Sequence, residues 1–529
     1  MTNNEGTRSI ILRNTIDDAF RRAAKKYRGR EALLFGDRIW SFHDLDRAAG
    51  RVARRLAGLG FSKGDRVVAY GRNSDAYLVA WLGCVRAGLV HVPANYALTA
   101  GELRYVLEQS DARGLLFDVA LSDTAAAAVE RTRVDIAGTF HGGGSRHAVD
   151  ILATMRDESA PADFDAAASD EDLAQILYTS GTTAAPKGAM MTHRALLHEY
   201  ESCIIDLEFA GDDRSLAALP LYHSAQMHVF AMPHLMMGVR TILLDAPVPE
   251  VCLRLIEEQR ITSFFAPPTV WISLLRNPGF DRHDLRSLKK LYYGASIMPV
   301  PVLEELRRRL PEIRAYNCYG QSEIGPLATV LRPEEHDARP ASAGRPVINV
   351  ATRVVDEHMN DVPPRTNGEI VHRSPQLLTG YWNKPEETEQ AFSGGWFHSG
   401  DVGFLDEEGY LFVVDRVKDV INSGGIVLAS REVEEALFTH PAVSEVAVIG
   451  LPDPKWIEAV VAVVVVKAGH AVSAEALIAH ARERLAAFKT PKRVIFVETL
   501  PRNTAGKLLK RDLRTTFAKA DTSSASKAE

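Results

Sequence analysis

Apolar positions along the chain recur with two periods. Ile16, Phe20 and Ala23 share one helical face, with Thr15 placed to cap it and Asp17 and Asp18 in the first turn. Apolar runs at 33–35 and 39–42 flank Gly36-Asp37 and predict a hairpin. A second amphipathic helix turns Leu45, Ala49, Val52 and Leu56 inward. The run 67–69 then reads as a short buried strand ahead of a helix over 76–86. From there short strands alternate with longer helices, which predicts a parallel sheet with helices on both faces.

The rhythm breaks over 139–170. His141-Gly142-Gly143-Gly144-Ser145 and the acidic, Ala-rich stretch 157–172 read as loop. The glycines lack the flanking strand and helix of a nucleotide-binding loop and read as linker. Alternation resumes at Leu173 and continues past Gly320. Over 344–415 short β runs at 352–356, 368–373 and 410–414 predict an antiparallel barrel or distorted sheet. Beyond Arg416, strands at 446–450, 459–466 and 494–497 mix with helices at 431–438 and 474–485. The expected fold is α/β, with a large N-terminal domain (1–415) of doubly wound sheets plus a distorted β-barrel. A small, mobile C-terminal α+β domain (416–519) and a disordered tail (520–529) follow.

Composition narrows the class. A chain of 529 residues is too long for one core. Apolar and charged fractions of 46% and 25% are those of an ordinary globular enzyme. A net charge of −6 gives no basis for a nucleic-acid partner. Cys84, Cys203, Cys252 and Cys318 are far apart and form no C-x-x-C pair, as expected of reduced thiols in a cytoplasmic protein. Residues 1–13 lack the apolar centre of a signal peptide, and the longest apolar run, 459–466, is too short for a transmembrane segment. The final Ser526-Lys527-Ala528-Glu529 is no peroxisomal address.

The chemistry concentrates in Tyr178-Thr179-Ser180-Gly181-Thr182-Thr183-Ala184-Ala185-Pro186-Lys187-Gly188-Ala189-Met190. Hydroxyls and backbone N–H groups in a tight turn wrap polyphosphate oxygens, and a lysine adds a point charge. The order is not that of a Walker A loop. Further segments follow in series. They are Pro220-Leu221-Tyr222-His223-Ser224, Tyr292-Tyr293-Gly294-Ala295-Ser296 and Asn317-Cys318-Tyr319-Gly320-Gln321-Ser322-Glu323. After these come His398-Ser399-Gly400-Asp401, the stretch 415–425 and Pro501-Arg502-Asn503-Thr504-Ala505-Gly506-Lys507.

In this order the segments closely resemble those of the adenylate-forming superfamily: acyl-CoA synthetases, peptide-synthetase adenylation domains and luciferases. The resemblance implies an ATP-binding set of Thr179, Ser180, Gly181, Thr182, Thr183 and Lys187 around the phosphates. It places Gly294, Ala295, Ser296, Asn317, Tyr319 and Gly320 at adenine, Ser322 at the α-phosphate, and Asp401 and Arg416 at the ribose. Glu323 is implied as the Mg²⁺ ligand, and Lys507, Glu323 and His223 as the catalytic set. Lys418 would be the hinge, and Gly424 and Gly425 would line the CoA tunnel. His223, Ser224, Met227, Gly294 and Gly320 would bound the acyl pocket. Three departures stand out: Ala184 where glycine is typical, Ser322 where threonine is commoner, and Ala429-Ser430 where a proline is usual. Ser430 is still expected to cap its helix.

Amino-acid-activating relatives carry an aspartate near position 223. Its absence here implies a carboxylic acid without an α-amine. The implied reaction uses ATP, Mg²⁺ and CoA: the carboxylate attacks the α-phosphate, and CoA then takes the acyl group. The apolar stretch from Met227 through Val229, Phe230, Met232, Leu235 and Met237 favours a medium- or long-chain fatty acid. An aryl acid, and a carrier protein in place of CoA, stay open, as do a luciferase-like oxidoreductase, a non-catalytic nucleotide sensor and a homodimer. The basic residues of 482–514, among them Arg484, Lys489, Arg502, Lys510 and Arg514, read as a solvated face that also steers phosphates.

Overall fold

The computed structural model describes residues 12–142, 147–179, 185–296, 298–416, 419–423, 426–453, 456–502 and 508–525. The expected helix starts are built as the sequence indicates. Thr15 caps Ile16–Lys26, and Asp18 returns the bond to the cap's backbone; Ser41 and Asp44 do the same for Phe42–Gly58. Each such cap contributes about 1 kcal/mol. Leu45, Ala49, Val52 and Leu56 are fully buried against Asp75–Arg86, a helix buried on every side. The two helices approach closely at Gly83, where a Cβ would meet Val52 at 2.4 Å.

Two large sheets carry the N-terminal part. In the seven-stranded sheet, Val149–Asp150, Ile136–Thr139, Gly114–Phe117, Arg66–Tyr70, Val90–Ala94 and Leu173–Thr179 run parallel, and Lys187–Thr192 closes it as an antiparallel edge. The nine-stranded sheet has a parallel centre. Its order is Arg314–Gly320, Lys290–Gly294, Ser263–Phe265, Arg214–Ala217, Arg240–Leu243 and Glu31–Phe35. The expected hairpin therefore exists as Glu31–Phe35 and Arg38–Ser41, but it completes a sheet whose other strands lie far along the chain.

Residues 344–416 form a four-stranded antiparallel sheet: Ala351–Val355, Gly368–Arg373, Phe397–Leu405 and Leu411–Arg416. Register shifts between Glu369 and Val371 and between Val402 and Gly403 supply the expected distortion. A five-stranded sheet with flanking helices forms the smaller C-terminal part, built around Val443–Asp453 and Ile457–Val466. Among the described residues, no helix is long and apolar enough to cross a membrane.

Three local expectations are corrected and a fourth is refined. The stretch expected as loop over 139–170 contains Val149–Asp150 and the helix Ile151–Arg156, because Ile151 and Met155 reach the core and Asp150 caps the turn. His398 to Asp401, which reads in the sequence as a turn ahead of a β run, lies inside the strand Phe397–Leu405; Gly400 has φ +69°. The apolar stretch after Ser224, expected as a buried helix, is one, and differs only in opening as a π-helix, Ala225–Ala231, before becoming α-helical at Met232–Met237. Ser430 does not cap its helix. It is the first helical residue, and its amide and hydroxyl both donate to the Asp415 carboxylate, at 2.7 and 2.6 Å.

Candidate active site

Thr179 and Lys187 are the last cross-strand pair of the hairpin formed by Leu173–Thr179 and Lys187–Thr192. The segment joining them, with the expected Ser180, Gly181, Thr182 and Thr183 and the departure Ala184, lies outside the described residues. Thr179 of this pair faces Glu323, which sits in the 3-10 turn Ser322–Ile324 just beyond the strand Arg314–Gly320. Thr179 Oγ1 donates to Glu323 Oε1 at 3.0 Å, and the Tyr381 phenol donates to the same oxygen at 3.3 Å. Lys187 Nζ stands 5.0 Å from the Tyr381 ring centroid. Burial, then the Glu323 charge, pushes the Tyr381 phenol far above its ordinary value, so it remains a donor.

The acyl-side residues adjoin this cluster. Ser224 Oγ and Ser322 Oγ are 2.8 Å apart, and His223 Nδ1 accepts the Ala225 amide at 3.3 Å. Met227 is buried on the π-helix. Gly294 pairs with Cys318 in neighbouring parallel strands, and a Cβ on Gly294 would meet the Cys318 carbonyl at 2.3 Å. Ala295 turns the strand end with φ +62° and leads to Ser296. Gly320 is equally constrained, since a Cβ would lie 1.8 Å from the Pro326 carbonyl.

A second cluster joins strands of two sheets. The Tyr319 phenol donates to Asp401 Oδ2 at 2.7 Å, and Arg416 Nε meets Asp401 Oδ1 at 3.0 Å. Asp401 and Arg416 are register partners, and the Asp401 amide donates to Ser399 Oγ. Desolvation, and then the Asp401 charge, holds the Tyr319 phenol far above its ordinary value. The Asn317 amide donates to the Ser342 carbonyl at 2.8 Å, which fixes the side chain in a loop contact.

Lys418, Gly424, Gly425 and Lys507 lie outside the described residues. Among the described residues the basic face is more tightly paired than a solvated one. Lys489 meets Glu432, Arg502 meets Glu445, Lys510 meets Glu434 and Arg514 meets Asp419, all within 2.8 Å. The residue that sequence reasoning missed is Tyr381. Its one signal was the aromatic pair Tyr381-Trp382 closing a turn-rich stretch.

The chain matches the family described as AMP-binding enzyme over residues 20–382, and the AMP-binding enzyme C-terminal domain over 432–507. It is 36% identical to a feruloyl-CoA synthase of an Amycolatopsis species, covering 92% of this chain and 96% of that one. It is 31% identical to a long-chain-fatty-acid–CoA ligase of Bacillus subtilis, covering 94% of each. The crystal structure of the anthranilate CoA ligase AuaEII in complex with anthranoyl-AMP superposes with a TM-score of 0.90 at 26% identity, over 97% of this chain and 98% of that one. The chain belongs to the AMP-binding enzyme family. Within it, the chain falls in the branch of acyl- and aryl-CoA ligases, AMP-forming acid–thiol ligases.

Proposed function

We propose that this protein activates a carboxylic acid lacking an α-amine as its acyl-adenylate and passes the acyl group to CoA. The observation that carries the reading is the convergence of Thr179, Lys187, Ser322 and Glu323 beside Tyr381, with Tyr319, Asp401 and Arg416 joined in a second cluster. The first cluster offers hydroxyls, a cation and one carboxylate to a triphosphate. The second offers an aromatic ring and a charged pair to a nucleoside.

The first cluster also fits Mg²⁺. This cation keeps several waters and takes one or two carboxylates plus phosphate oxygens, so a single carboxylate among hydroxyls suits it better than a cage would. Among the described residues, no group of three or more His, Cys, Asp and Glu could form such a cage. Glu323 would hold the ion, and the ion would neutralise charge on the leaving pyrophosphate.

The chemistry then asks little covalent work of the protein. A carboxylate oxygen of the substrate bonds to the α-phosphorus as the bond to pyrophosphate breaks. The CoA thiol, losing its proton, next bonds to the acyl carbon as the bond to AMP breaks. Lys187 and Ser322 would hold phosphate oxygens, Asp401 would accept the ribose hydroxyls, and Tyr319 would stack on the base. Lys507 would offset the charge gathering at the α-phosphate. The chain beyond Lys418 would turn about that residue between the two half-reactions, bringing Gly424 and Gly425 to the pantetheine. Positioning and charge neutralisation supply the rate.

For the acid, the proposal favours an aryl acid over a fatty acid. The apolar side chains that motivated an alkyl tail are packed into the core. Phe230 stacks on Phe265 with centroids 4.3 Å apart, and the Trp81 indole donates to Met232 Sδ at 3.3 Å. The feruloyl-CoA synthase and the anthranilate ligase support the aryl reading, and the Bacillus fatty-acid ligase supports the alternative. A panel of cinnamic, benzoic and graded fatty acids, scored by CoA-dependent AMP formation, tests it. Higher kcat/KM for a fatty acid of eight or more carbons than for every aryl acid would replace the first reading with the second.

A further inference from the structure

Thr179 and Lys187 end strands of the seven-stranded sheet, whereas Glu323 follows a strand of the nine-stranded one. Their alignment depends on what ties one sheet to the other. The helix His193–Asp206 continues directly from Lys187–Thr192. From it Glu199, fully buried, crosses to the turn that follows Glu323. Its Oε1 accepts the Leu327 amide at 2.9 Å, and its Oε2 accepts Gln376 Nε2 at 2.6 Å. Gln376 Nε2 also reaches the carbonyls of Ile324 and Leu327, at 2.9 and 2.8 Å, while Ser202 Oγ donates to Gln376 Oε1 at 2.8 Å. Gly325 lies against the same carboxylate, and a Cβ there would come within 2.9 Å of Glu199 Oε2.

Gln376 opens a segment that touches both sheets. Leu378 N donates to the Glu323 carbonyl at 2.9 Å, Thr379 N to the Met190 carbonyl at 3.0 Å and Trp382 N to the Gly188 carbonyl at 2.8 Å. Tyr381, between them, reaches the Glu323 carboxylate. A buried carboxyl group is costly where an apolar pair would fill the same volume, and burial pushes the Glu199 carboxyl well above its ordinary value. Here it directs its bonds at the backbone of one turn, which apolar packing cannot do.

We propose that Glu199 and Gln376 are positioning residues for Glu323: from behind the site they clamp the turn 324–327, so that the Glu323 carboxylate stays aligned with Thr179 and Lys187. The proposal rests on the reading of Glu323 as the Mg²⁺ ligand.

The full-length protein is compared with Gln376→Met, which keeps the shape and removes the donors, and with Glu199→Gln. Glu323→Gln serves as the reference. Two quantities are read: backbone hydrogen exchange at residues 324, 325 and 327 without nucleotide or metal, and the Mg²⁺ concentration giving half-maximal acyl-adenylate formation at saturating ATP. In Gln376→Met, exchange at these amides is expected to rise about tenfold while the helix His193–Asp206 keeps its protection. Half-saturating Mg²⁺ rises about fivefold or more, excess Mg²⁺ restores the rate, and KM for the acid holds. Glu199→Gln shifts both in the same direction, less strongly, because its amide oxygen still accepts from Leu327. Should Gln376→Met fail to fold, the near-isosteric Glu199→Gln carries both readings. Unchanged exchange overturns the clamp. An unmoved Mg²⁺ requirement in the clamp variants, where Glu323→Gln does move it, overturns the positioning role alone. If Glu323→Gln leaves the requirement unmoved, the metal reading fails, and the exchange result alone decides the clamp.

Discussion

Tyr319 and Asp401 meet through a 2.7 Å hydrogen bond between a strand of the nine-stranded sheet and one of the four-stranded sheet. The bond fixes the tilt of the Tyr319 ring, and Arg416 holds the other carboxylate oxygen at 3.0 Å. Asp401→Ala removes two charge-assisted bonds as well as the proposed ribose contact. Expected is a rise in KM for ATP of about 10–100-fold with kcat held within a few-fold, since these contacts exist equally in ground and transition states. Tyr319→Phe raises it less. A collapse of kcat with unchanged KM would remove both residues from the nucleoside.

Glu323→Gln keeps the shape of the site but not its charge. It is expected to slow pyrophosphate release by about 10²-fold at saturating ATP. Tyr381→Phe removes one donor to Glu323 and costs about tenfold or less. Pyrophosphate release measured over a range of Mg²⁺ concentrations checks both, and near-normal release by Glu323→Gln at low Mg²⁺ would count against its role.

In the proposed scheme Lys507 and Lys418 separate the half-reactions. Lys507→Ala is expected to abolish acyl-adenylate formation, about 10²–10³-fold, yet to leave transfer from supplied acyl-AMP to CoA nearly intact. Lys418→Pro fixes φ at the hinge and is expected to do the reverse, trapping the adenylate. Equal loss of both half-reactions in both variants, with folding unchanged, would end the two-orientation scheme.

His234 sets an acid limit on stability. It is buried among Phe209 and Phe230, and among the described residues neither ring nitrogen has a hydrogen-bond partner. Burial lowers its pKa to about 4. Its folded value lies below the unfolded one, so the folded state resists protonation. The stability tied to the neutral ring is complete above about pH 6.5 and falls away as pH drops toward the folded value. His234→Phe fits the aromatic surroundings and removes that penalty. Between pH 7 and pH 5 the variant is expected to gain about 1.5 kcal/mol over the natural protein, read from denaturant unfolding at the two pH values. A gap that does not widen on acidification would refute the assignment.

The sequence by itself determined the local elements and the order of the motifs. Thr15, Ser41 and the faces led by Ile16 and Leu45 encode their helices through caps and a 3.6-residue period, both of which act within a few residues. The motif series, too, was legible from residue order, and it sufficed for the family. Ile151 and Met155 were hidden, because two apolar residues in a polar stretch make no period until a core receives them. What only the tertiary structure decided lies between distant segments. The hairpin at 31–41 joins strands from beyond residue 210, Tyr381 enters the site beside Lys187, and Asp415 caps a helix that Ser430 was expected to cap. Glu199 and Gln376, 177 positions apart, carried no local signal at all. Hydrogen bonds of this kind depend on where two sheets come to rest against each other, and no pattern within either segment specifies that.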